Sequence, residues 1–143
     1  MPETRTMERA QKDQREGRSP STQAGEFVRE EFHHIREGKH RARSARQAIA
    51  IGLSKARRAG VKLRPPMKGK SSEAVRRHAK RDYEKGRNGN GGNPSRVRSL
   101  RREGHRAASR TAISRQSRRS ARNRTSGERS AAARKAARTR TAA

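Results

Sequence analysis

Forty lysines and arginines stand against thirteen aspartates and glutamates in this 143-residue chain, a formal net charge of +27 at pH 7. Like charges at this density repel as a chain compacts, so the excess makes physical sense beside a polyanion. The apolar side is thin. Hydrophobic residues make up 27% of the chain, and the aromatics are Phe27, Phe32 and Tyr83 alone. About a dozen larger apolar side chains lie between residues 19 and 86, little burial to set against the entropy of ordering them. The expectation is an all-α chain: a small two- to three-helix module with a long disordered arginine-rich C-terminal tail.

Charge divides the sequence near Gly86. Residues 1–86 carry 23 basic and 11 acidic groups, whereas residues 87–143 carry 17 basic groups against Glu103 and Glu128. The chain therefore reads as a polar N-terminal arm (1–18), a helical module (19–86), and a Gly/Asn linker followed by a disordered basic tail (87–143). In the arm, Thr4 to Glu16 suits a short polar helix with Met7 and Ala10 as its anchors. Ser19-Pro20 pairs an N-cap residue with proline at the first helical position. That helix stops at Gly38, and Ala24, Val28, Phe32 and Ile35 line one face. A second helix starts at Ser44, with Gln47 three residues on as a capping box. Ala45, Ala48, Gly52, Ala56 and Ala59 give it a ridge of small residues suited to close helix approach. Pro65-Pro66 marks an extended connector. A third helix runs from about Ser72 to Lys85, with Gly86 closing it.

Signals for chemistry are weak. The chain has no cysteine, which removes disulfides and thiolate metal sites. Gly69-Lys70-Ser71 resembles the end of a phosphate loop, but Arg64 stands where the motif requires glycine. His33 and His34 beside Glu30, Glu31 and Glu37 give i, i+4 pairs and no four-ligand metal set. No nucleophile–base constellation is apparent, so the expectation is a non-enzyme without cofactor, metal or small-molecule substrate. No run approaches the ~20 apolar residues of a membrane span, and no membrane partner is expected. The expected partner is nucleic acid, duplex DNA before RNA, bound without sequence preference by phosphate neutralisation. The candidate contacts are Lys39, His40, Arg41, Arg43 and Arg46 before the second helix, and Lys55, Arg57 and Arg58 at its end. In the tail they are Arg115, Arg118, Arg119, Arg122 and Arg124. Two other readings stand beside this one: an RNA- or ribosome-associated basic protein, and a protein–protein adaptor localised by its basic tail.

Two stretches, Gly25 to His40 and Gln47-Ala-Ile-Ala-Ile-Gly-Leu-Ser-Lys-Ala-Arg-Arg-Ala-Gly60, resemble a family of small basic proteobacterial proteins. These share such a helix after an acidic helix and a basic loop. The resemblance covers roughly residues 19–86. It implies a cytoplasmic bacterial protein of histone-like or plasmid-maintenance character, placed at the nucleoid, and it supplies no catalytic residues. Relatives tend to have glycine near position 41, where this chain has Arg41 and a more basic loop.

Overall fold

The structure, a computed structural model, describes residues 2–39, 41–89 and 105–141. Those residues form α1 (Thr4–Arg15), α2 (Pro20–Arg36), α3 (Ala45–Arg58), α4 (Glu73–Arg87), a 3-10 turn (His105–Ala108), α5 (Arg110–Arg122) and α6 (Ser126–Thr141), with no strand among them. The all-α expectation holds, but its architecture needs correction. There are six α-helices rather than two or three, and residues 105–141 are helical where a disordered tail was expected. The expectation weighed arginine repulsion along the tail. It overlooked caps at Ser109 and Thr125, and an apolar seat for the first of the two helices. The glycine-rich stretch from Asn90 to Pro94 lies outside the described residues, as do Val97 and Leu100.

Local rules account for the helix ends in the first half. Ser19 Oγ accepts from the Thr22 amide at 3.4 Å, Pro20 occupies N1, and Gly38 exits α2 with φ +79°, the left-handed conformation glycine adopts without strain. Ser44 Oγ accepts from the Gln47 amide (3.2 Å), while the Gln47 carboxamide oxygen accepts from the Arg43 amide (2.7 Å). The capping box thus closes one residue upstream of its usual register.

The small-residue ridge of α3 is a packing surface. Ala45, Ala48, Gly52 and Ala56 are buried, and a Cβ at Gly52 would lie 2.6 Å from Val28 Cα. Only glycine permits α2 and α3 to approach so closely, which offsets the ~1 kcal/mol a mid-helix glycine costs. Around this contact sit two apolar clusters. One joins Ala10, Ala24, Phe27, Ala56 and Val61, with Met7 and Leu53 against it; it fastens α1 to the hairpin. The other joins Phe32, Ile35, Ala42, Ala45 and Ala48 to Ala107 and Ala108.

Helix α4 packs on α3 through polar as well as small groups. Asp82 accepts from Ser54 Oγ at 2.6 Å and from Arg58 Nε at 2.8 Å. Gly86 was expected to end this helix, yet α4 runs on to Arg87. Gly86 instead faces the Arg57 carbonyl oxygen, which a Cβ there would overlap.

Candidate nucleic-acid interface

The acids of α2 fix where several cations can point. Glu31 is fully buried and Glu30 nearly so. Lys55 Nζ reaches from α3 to Glu31 Oε2 at 2.8 Å and Glu30 Oε1 at 3.4 Å. One ammonium thus offsets part of the negative charge that α2 buries at these two carboxylates. Arg57 is 8% exposed, and its Nε donates to the Leu63 carbonyl at 3.2 Å. Burial lowers its pKa, opposed by Asp82. Arg58 is held by Asp82. Lys55, Arg57 and Arg58 are therefore engaged within the fold.

The loop before α3 divides differently. Lys39 Nζ lies 2.8 Å from Glu37 Oε2; their hydrogen bond raises the lysine pKa and lowers that of Glu37. His40 is outside the described residues. Arg41 is half-buried, and Arg43 and Arg46 are exposed. The histidines of α2 meet carboxylates: His33 Nε2 is 2.9 Å from Glu37 Oε1, and buried His34 Nε2 is 2.7 Å from Glu3 Oε1. That hydrogen bond lowers the Glu3 pKa. His34 thus pins the start of α1 onto α2, where a solvated pair with Glu30 was expected. Among the described residues no group of three or more His, Asp or Glu side chains is arranged to hold a metal ion.

A row of outward cations lies on α5, and the way it is seated explains why. Ala107 and Ala108 insert beside Phe32, Ile35 and Ala48, and Ala112 and Ile113 rest on the same cluster. Arg36 Nε donates to the Ala108 carbonyl at 3.2 Å, and Ser109 Oγ caps α5 through the Ala112 amide at 3.1 Å. With Ala112, Ile113 and Gln116 turned inward, helical spacing sends Arg115, Arg118, Arg119 and Arg122 to the solvent side. These four and Arg110 line a shallow hollow of about 680 Å³ along the helix. A second hollow of about 490 Å³, between Arg36 and Arg110, continues it.

From Arg106 to Arg124 the sequence holds seven arginines and no acid. All seven are exposed, and among the described residues none makes an ion pair. Arg115, Arg118, Arg119 and Arg122 were expected as contacts and come together on one face. Arg124 follows in the turn after α5. Arg36, Arg106 and Arg110 were not anticipated; the signal for them was the Ser109 cap followed by Ala112 and Ile113 at inward spacing.

Helix α6 begins with a full capping box. Thr125 Oγ1 accepts from the Glu128 amide (3.2 Å) and Glu128 Oε2 accepts from the Thr125 amide (2.8 Å), while Lys70 Nζ donates to Glu128 Oε1 at 3.0 Å. These bonds, that from the Thr125 amide foremost, lower the Glu128 pKa to about 2. Beyond the cap α6 carries Arg129, Arg134, Lys135, Arg138 and Arg140 on exposed positions, with no buried residue.

No helix among the described residues is long and apolar enough to cross a membrane. No protein-family model matches the chain, and no curated protein or solved structure is similar to it at a significant level.

Proposed function

We propose that this chain binds duplex DNA without sequence preference, by neutralising phosphates, in a histone-like, nucleoid-associated role. The observation that carries the reading is the set of seven exposed arginines from Arg106 to Arg124, unpaired among the described residues, four of them sharing the outer face of α5. No acid lies within this stretch, and its guanidinium groups face solvent, the arrangement suited to bidentate phosphate contact. Helix α6 supports the same reading. A helix with no buried residue and five cations gains little from packing on its own fold, and phosphates would relieve its repulsion.

The aromatic residues favour a duplex over a single strand. Phe27 and Phe32 are buried in the two apolar clusters and Tyr83 is half-buried. No described aromatic is exposed as a platform for unpaired bases, the usual source of single-strand affinity.

The test is the salt dependence of binding. Each phosphate contact on duplex DNA contributes about −0.9 to the slope of log K against log salt. Replacing Arg115, Arg118, Arg119 and Arg122 by serine should make that slope shallower by about 3–4 units. An unchanged slope would remove α5 from the interface, and a nearly flat slope for the wild-type chain would sink the phosphate reading. Tighter binding to duplex RNA at matched salt would transfer the reading to RNA.

A further inference from the structure

We infer that the chain carries a second duplex-binding face, on α4 and the connector before it, and that it bridges two DNA duplexes. This rests on the reading of α5 as the first face. The starting point is the position of α4 and α5 around α3. Ser54 and Arg58 of α3 hold α4 through Asp82. Ile49 of α3 rests on the cluster that seats α5 and its preceding turn. Arg58 follows Ile49 by nine residues, two and a half helical turns, so α4 is held on the side of α3 across from Ile49.

Two helices packed on opposite sides of a third have axes roughly 16–20 Å apart, with their outer faces pointing away from each other. One straight duplex cannot lie along both. Each face is nevertheless basic. The side of α4 turned away from Ala79, Asp82 and Gly86 carries Arg77, Lys80, Arg81 and Lys85, all exposed. Arg77 and Lys85 make no ion pair among the described residues. Residues 61–72, which lead into α4, hold Lys62, Arg64, Lys68 and Lys70 with no acid. Acids offset part of this charge. Glu84 lies 3.9 Å from Lys80 and Glu128 takes Lys70 at 3.0 Å, while Asp82 is turned inward onto Arg58 and Glu73 is held by Arg76 at 3.1 Å. Arg77, Arg81 and Lys85 are left to the outward side. Two such surfaces back to back hold two duplexes at a distance set by the helices between them.

The experiment uses the full chain and two duplexes, one fixed to beads and one labelled in solution. Wild-type protein should retain the labelled duplex on the beads. The triple variant Arg77→Gln, Arg81→Gln, Lys85→Gln should lower that retention by about tenfold, yet bind a single free duplex within about threefold of wild type, because the α5 contacts remain. Retention by the triple variant at the wild-type level would overturn the proposal, and self-association of the free chain alongside it would identify a dimer as the bridge. Wild-type protein that binds the bead duplex but never captures the second would also overturn it while leaving the α5 reading intact. Failure to bind the bead duplex at all would remove both.

Discussion

The contact of α3 with α2 and α4, and the outer face of α5, use the same side chains for opposite ends. In the first region arginine and lysine close the structure: Lys55 on Glu31, Arg58 on Asp82, Arg57 on the Leu63 carbonyl. In the second, arginines from 106 to 124 make no ion pair among the described residues. Nothing intrinsic to the residue separates the two uses. What separates them is the supply of acids: eleven in residues 1–86, and Glu128 alone after Glu103. A basic residue is structural where a carboxylate can be buried with it, and available to a partner where none is in reach.

The largest expected effect tests the inward half. Lys55→Met leaves Glu31 buried without its ammonium, which should cost about 3–5 kcal/mol of stability, read as a lower midpoint in denaturant. A neutral result would mean that the buried pair is dispensable, and the contrast with α5 would lose its basis. Gly86→Ala comes next. Its methyl group meets the Arg57 carbonyl, which cannot rotate away, so about 3 kcal/mol should be lost as α4 is pushed off α3. Gly52→Ala should act in the same direction by about 1–3 kcal/mol, the added carbon meeting Val28 backbone.

The outward half predicts the reverse pattern. The quadruple serine variant of α5 should lower stability by about 1–2 kcal/mol at most, the summed helix-propensity difference between arginine and serine, while making the salt slope of binding shallower by about 3–4 units. A large loss of stability would show these arginines to be structural after all.

The smallest effect concerns Glu128. Its folded pKa of about 2 lies below the ordinary 4.5. The cap's contribution is therefore present above that ordinary range and lost as pH falls from about 4.5 through 2. Once the intrinsic pH dependence of exchange is divided out, protection of the Thr125 and Glu128 amides should fall over this window. Glu128→Gln should remove the pH dependence.

Much of the first half was readable from residues alone. Ser19-Pro20, Gly38, Ser44 and the alanine–glycine ridge each state a local rule, and α2, α3 and their contact obey it. Three features escaped for different reasons. Glu30 and Glu31 read as a solvated acidic face because their burial depends on Lys55, a residue of another helix. Gly86 read as a terminator because its partner, the Arg57 carbonyl, is supplied by tertiary packing. The tail read as disordered because its local signals were short: a Ser109 cap, a Thr125–Glu128 box, and an inward stripe of Ala112 and Ile113. Such a stripe holds a helix only where Phe32 and Ile35 have built a place for it. Composition foretold the charge of the site; the orientation of α5, and with it Arg36 and Arg110, came from that docking.

The seat of α5 also orders events in time. The bond from Arg36 to Ala108 closes across 72 residues, whereas α2 and α3 meet across a short loop. Closing so long a span carries an entropic cost that only the finished cluster offsets. During synthesis residues 2–39 and 41–89 can assemble before residue 105 exists, so α5 is the last helix to dock on the apolar clusters and the first of the docked helices to let go. Hydrogen exchange under native conditions should show this as a separate cooperative unit. The amides of α5 should open at lower free energy than those of α2 and α3, and slow down when duplex DNA is added.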